Sequence, residues 1–99
     1  MSVLLMSPPE LCAEVAARVR QRRLAMDLTR EGLAVRADVS VASIKRFETT
    51  GLIAFDALVR IAFALGAEAE VAALFPAPPP LSLAEIETRA RPRQRGSRR

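Results

Sequence analysis

Ninety-nine residues hold one small domain rather than two. Half of them are hydrophobic, mostly Ala, Leu and Val, and the only four aromatic residues are Phe, a composition that favours packed helices over a sheet. A single cysteine, Cys12, and no histidine exclude an intrachain disulfide and a Cys/His metal site; no cofactor is expected, and a cytoplasmic location is the simple reading. The net charge of +4 is unevenly spread. Residues 18–46 carry eight Arg/Lys against three acids, residues 76–99 carry six Arg against two Glu, and the remainder is net acidic. Clustering of this kind suits a polyanion partner.

In chain order, residues 1–7 read as a flexible N-terminus. Val3-Leu4-Leu5-Met6 lacks the length and basic leader of a secretory signal, although a short strand there could pair with a partner chain. No stretch is long enough to span a membrane. Ser7-Pro8-Pro9-Glu10 is a helix start: a serine cap, proline in the first turn and a capping-box acid. The first helix should run to about Met26, with Leu11, Val15, Val19 and Met26 on one stripe and Arg18, Arg20, Arg22 and Arg23 around its later turns.

Leu28 to Gly51 reads as two short helices joined by a tight turn. Thr29 caps the first, Arg30 to Arg36, with Leu33 and Ala34 apolar on one face. Ala37-Asp38-Val39 makes the turn. Ser40 caps the second, Val41 to about Glu48, with Ile44 and Phe47 inward. Val41, Ala42, Ser43, Lys45 and Arg46 are left largely outward. Small side chains at the start of a short helix allow close approach to base edges in a major groove. Val41 and Ala42 suit a thymine methyl, Ser43 a donor or acceptor, and Lys45 a guanine. Arg46, Arg20 and Arg22 are candidates for phosphate contacts, as are Thr49 and Thr50 where the chain leaves the second helix. Gly32, inside the first of these helices, weakens it by about 1 kcal/mol relative to Ala.

After the short connector Leu52-Ile53-Ala54, a fourth helix spans about Phe55 to Leu65, with Leu58, Ile61, Ala62 and Leu65 at the spacing of a buried face. Gly66 ends it. A fifth helix covers about Glu68 to Phe75, with Val71, Leu74 and Phe75 completing the core. The globular part, residues 8–75, gives way at Pro76-Ala77-Pro78-Pro79-Pro80 to a stiff spacer. Ser82-Leu83-Ala84-Glu85 is a second capping-box pattern that could start a short helix to about Arg89. From Ala90 onward the chain reads as a disordered basic tail. Enzyme chemistry finds no support: there is no histidine, no glycine-rich phosphate loop and no catalytic pattern of acids. Cys12 fits a packing role in an amphipathic helix.

Leu28-Thr29-x-Glu31-x-Leu33-Ala34, then Val39-Ser40, Ile44 and Glu48 near a glycine, resembles the Cro/repressor-type (XRE) helix-turn-helix family, over roughly Val15 to Phe75. The resemblance implies an all-α fold of five helices that binds double-stranded DNA, with a basic C-terminal extension appended here. It places Val41 at the leading base-contact position and Arg30 where the family commonly has a phosphate-contacting Gln. It also implies that Arg23 pairs with Glu48 as a structural ion pair. Asp27 stands where the family usually has Gly or Asn and Asp38 where it usually has Gly, sites that often need positive φ, which Asp tolerates better than most residues but less well than Gly. The expected function is a sequence-specific transcriptional repressor that binds a palindromic operator as a homodimer, and so is nucleoid-associated when bound. Thr50-Gly51-Leu52-Ile53, Leu74-Phe75-Pro76 and Arg93-Gln94-Arg95-Gly96 further resemble HipB-like antitoxins, which implies a HipA-like kinase toxin as a partner. The alternatives are a stand-alone or phage-type repressor, or a protein-interaction module with a relic helix-turn-helix.

Overall fold

The computed structural model describes residues 5–80 and 82–90. Among them are six helices and no strand: α1 (Pro8–Ala25), α2 (Arg30–Ala37), α3 (Val41–Thr50), α4 (Phe55–Ala64), α5 (Glu68–Ala72) and α6 (Leu83–Ala90). Five form the repressor-like core, and α6 lies beyond the proline-rich stretch. None is long and apolar enough to cross a membrane. Of the expected strand, Val3 and Leu4 lie outside the described residues, as does most of the basic tail; Leu5 and Met6 are not in a strand.

The first three helices start on side-chain caps. Ser7 Oγ accepts from the Glu10 amide while Glu10 Oε1 accepts from the Ser7 amide at 2.8 Å, a full capping box. The amide–carboxylate bond, followed by that to the Ser7 hydroxyl, holds the Glu10 carboxyl below its ordinary range. Thr29 and Ser40 cap α2 and α3 through the amides of Gly32 and Ser43, at 2.9 and 3.0 Å. Four helix exits turn through the left-handed region. Asp27 and Asp38 adopt φ 55°, Gly51 φ 82° and Gly66 φ 74°. After α4 the amides of Gly66 and Ala67 close back on the carbonyls of Phe63 and Ala62, and Asp27 and Leu28 repeat the pattern after α1.

The core gathers Leu33, Ala34 and Ala37 of α2, Ile44 of α3 and Ile61 of α4, with Val19, Leu28, Val39, Ile53, Ala64 and Leu65 packed around it. The main packed pairs are α1 with α3, α2 with α3 and α4, and α4 with α5; α6 joins none of these. Two expectations need correction. On α1 the buried residues are Ala16 and Arg23; Val15 and Val19 are only half-buried, and Leu11 and Met26 are exposed. The stripe faces the open side of α1, where Leu11, Val15 and Val19 line cavities. The side of α1 at the end of α3 is closely approached: a Cβ on Gly51 would lie 2.9 Å from backbone atoms of Cys12 and Ala13. The second correction is α5, which stops at Ala72 rather than Phe75. It has no side-chain cap, and Pro76 disfavours helical backbone at the residue before it. Phe75 instead turns to φ 48° and is 96% exposed, and Leu74 is also exposed, so neither completes the core.

Candidate nucleic-acid interface

Helix α3 is held by its inner face. Ile44 and Phe47 are buried, which fixes the rotation of the helix and leaves its other residues outside. Val41, Ala42, Lys45 and Arg46 are exposed and Ser43 is half-buried. Lys45 and Arg46 form no ion pair with another described residue. The Ser43 hydroxyl oxygen accepts from Ser40 Oγ at 2.8 Å, so its own hydrogen is left to donate outward. The α3 face therefore presents two apolar residues, a hydroxyl donor and two cations within six consecutive positions.

One carboxylate locks this helix to its neighbours. Glu48 Oε2 accepts from Arg23 Nε at 2.7 Å, and Glu48 Oε1 accepts from Arg23 Nη2 at 3.0 Å and from Arg30 Nε at 2.9 Å. Arg23 also donates from Nη1 to the Leu28 carbonyl at 2.8 Å. The side chains of Arg23 and Glu48 are 7% and 1% exposed. Glu48 thus ties α3 to α1 through Arg23 and to the first residue of α2 through Arg30. Burial pushes the Glu48 carboxyl upward, but the hydrogen bonds and charges of the two arginines outweigh it, and the carboxyl sits below its ordinary value. The Arg30 contact escaped the sequence reading, which gave that residue to phosphate alone. No local spacing signals a bond across 18 residues between crossing helices; a lone buried acid with two arginines in reach is the nearest clue. The terminal nitrogens of Arg30 make no hydrogen bond to a described residue, so it can hold Glu48 and still offer donors.

The remaining candidates fall in different places. Arg20 is exposed on α1 and unpaired among the described residues. Arg22 is bridged to Glu70 of α5 by two hydrogen bonds, at 2.5 and 2.7 Å, beside a groove lined by α1, α4, α5 and their links and by nothing from α3. The Thr50 hydroxyl donates to the Arg46 carbonyl at 2.6 Å, and that of Thr49 is shared between the carbonyls of Lys45 and Arg46. A phosphate oxygen only accepts, so either threonine must first release its carbonyl to bind one.

Two short helices crossing around a left-handed turn, the second capped and carrying an outward cationic face, are the geometry of a major-groove reader. No curated protein matches the chain. A family model described as a helix-turn-helix domain matches residues 14–75, which include α2, α3, α4 and α5 whole and most of α1. The chain belongs to that family of DNA-binding domains.

Proposed function

We propose that the protein is a sequence-specific repressor that reads a palindromic operator as a homodimer. The observation that carries this is the α3 face: Val41, Ala42, Ser43, Lys45 and Arg46 stand outward on a helix whose orientation the Arg23–Glu48–Arg30 cluster fixes. Lys45 and Ser43 would discriminate base edges, and Val41 and Ala42 would meet thymine methyls. The free nitrogens of Arg30, with Arg46 and Arg20, would take phosphates at the groove walls.

Self-association has its own support. Three of the four phenylalanines are exposed: Phe55 at 61%, Phe63 at 64% and Phe75. Phe55 and Phe63 lie two turns apart on one face of α4 with Val59 between them, an apolar stripe a monomer leaves to water. Two copies would set their recognition helices about 34 Å apart, in successive major grooves.

Selection of bound sites from random duplex DNA with the purified chain tests the reading. Recovered sites should form inverted repeats spaced by about one helical turn. Lys45→Ala should change the preferred sequence. Arg20→Ala, at an exposed phosphate candidate outside the Glu48 cluster, should weaken binding to every duplex alike and flatten the salt dependence by about one unit of slope. Sites without common sequence, or specificity unchanged across substitutions at Val41, Ser43 and Lys45, would remove the base-reading face. The likeness to HipB-like antitoxins supports a narrower reading, an autoregulating antitoxin bound by a HipA-like kinase. Co-purification with a kinase encoded beside it would test that.

A further inference from the structure

Two apolar surfaces of the domain lack a covering: the α4 stripe and a groove between α1 on one side and α4–α5 on the other. Two cavities of about 340 and 400 Å³ lie along it and share Val15 and Leu58; the first is lined by α1, α4, α5 and their links, the second by α1, α4, the end of α3 and the connector after it. Val19, Val71 and Leu74 line the first cavity, and Leu11 and Phe55 the second. Helices α1 and α4 are not among the main packed pairs, so the groove opens between elements, with the buried Ile61 and Ala62 of α4 in its lining. Arg18 and the Arg22–Glu70 pair stand at the first cavity.

Helix α6 has the complementary problem. Its sequence, Leu83-Ala84-Glu85-Ile86-Glu87-Thr88-Arg89-Ala90, sets apolar residues three, four and seven apart, the spacing of one buried face. Yet Leu83 is 73% exposed, and α6 joins no main packed pair.

We infer that α6 of one copy docks in the α1–α4–α5 groove of a second copy, each chain strapping its partner. The inference rests on the homodimer reading and adds to it where the copies join. The spacer decides between a partner and the chain's own groove. Ten residues separate Ala72 from Leu83, including Pro76, Pro78, Pro79 and Pro80. Its proline-bearing part, residues 76–82, favours polyproline geometry, which would span roughly 22 Å at 3.1 Å per residue. Each proline also disfavours right-handed helical backbone at the residue before it. The spacer starts at the rim, since Leu74 itself lines the groove, and a stiff rod from that point carries α6 away from its own chain. The Cα radius of gyration agrees: 18.7 Å, against about 13 Å for a compact chain of this length.

The native Cys12 lies in the groove lining and serves as the probe. The unaltered chain, with Cys12 as its only thiol, is mixed with a Cys12→Ser, Thr88→Cys chain and treated with a short bis-maleimide linker. A covalent heterodimer is expected, at well above the yield of homodimer from either chain alone. Adding Leu83→Asp to the second chain should cut that yield at least ten-fold. A chain carrying both Cys12 and Thr88→Cys that links only within itself would overturn the proposal, because α6 would then fill its own groove. Absence of any Cys12–Thr88→Cys link would overturn it too. Sedimentation of the unaltered chain separates the two readings. A dimer that fails to cross-link rejects the strap and keeps the homodimer, whereas a monomer rejects the homodimer itself.

Discussion

Arg22 and Arg23 are neighbours on α1, and they belong to two differently built regions. Arg23 reaches Glu48 with both side chains almost out of water; Arg22 reaches Glu70 with about half of each side chain exposed. The regions around them differ in the same sense. Helices α1 to α3 each start on a hydroxyl cap, whereas α4 and α5 start at Ala54 and Ala67 with no side-chain hydrogen bond. Helices α2 and α3 supply five buried residues, α4 two and α5 none. The reading half is fixed by interactions complete within one chain. The α4–α5 half leaves phenylalanines and a groove open, as a surface awaiting a second molecule would. Preorganisation lies under the face proposed to meet base edges, where rigidity lowers the ordering cost of binding.

The largest blow to that contrast should come from Glu48→Ala, which strands the buried Arg23 guanidinium without its acceptor. Removing one partner of a buried pair costs about 3–5 kcal/mol, and urea denaturation should show a loss of that order. A cycle with Arg23→Ala should give coupling above about 0.5 kcal/mol, while additive effects would mean that the pair is not acting as one. The sign of the pH dependence follows from the lowered Glu48 carboxyl. Its contribution is complete above the ordinary value of 4.5 and is lost as pH falls through the lowered folded value. Glu48→Gln should therefore flatten the acid limb of stability against pH.

Gly51→Ala comes next. Its φ of 82° costs an L-residue about 1–2 kcal/mol, and the added methyl would meet the α1 backbone at 2.9 Å. Backbone cannot swing aside as a side chain can, so a total loss of about 2–4 kcal/mol is expected. A Tm within a degree or two of the parent would show that α1 does not rest on Gly51. Gly66→Ala is the control: its φ is similar, but nothing lies within 4 Å of the added methyl.

On the other side, Arg22→Ala and Glu70→Ala should leave the urea midpoint close to the parent's. The two groups shift each other's titration, chiefly through their hydrogen bonds, but both are in water, where an ion pair gains little and salt screens it. A loss as large as that of Glu48→Ala would erase the contrast between the halves.

What the sequence disclosed follows the range of the forces involved. Caps at Ser7, Thr29 and Ser40 are bonds from residue i to i+3, so residue types alone reveal them. Ile44 and Phe47 on the inner face of α3, and Ile61 and Ala62 on α4, follow from helical period. Leu11 and Met26 have the right period and are nevertheless exposed, while Ala16 and Arg23 are the buried residues of α1. Period gives a stripe; only packing says which stripe is covered. The end of α5 was misplaced for a related reason. Leu74 and Phe75 continue an apolar pattern into a proline, and pattern does not register that Leu74 only edges an open groove and Phe75 is left to water. The bond of Arg30 to Glu48 depends on how two helices cross, which neither spacing nor composition encodes.

The smallest effect expected is a gain, and it probes the turn that joins the two helices of the motif. Asp38 holds φ 55° so that its own amide and that of Val39 can both reach the Ala34 carbonyl and close α2. Asp endures the left-handed region better than most residues, though glycine adopts it without a Cβ penalty. Its carboxylate contributes little in return: it is almost fully exposed and stands 3.6 Å from Arg60. The more useful contact, Arg60 Nη1 donating to the Asp38 carbonyl at 3.2 Å, belongs to the backbone and survives substitution. Against the relief stands the greater freedom of glycine in the unfolded chain, which removes part of the benefit. Asp38→Gly should therefore stabilise the domain by about 0.5 kcal/mol, or roughly 2–4 °C in Tm. DNA affinity should stay unchanged, because the Ser40 cap and the inner face of α3 are untouched. A fall in Tm would mean that the aspartate side chain holds the turn by a contact worth more than the strain it brings.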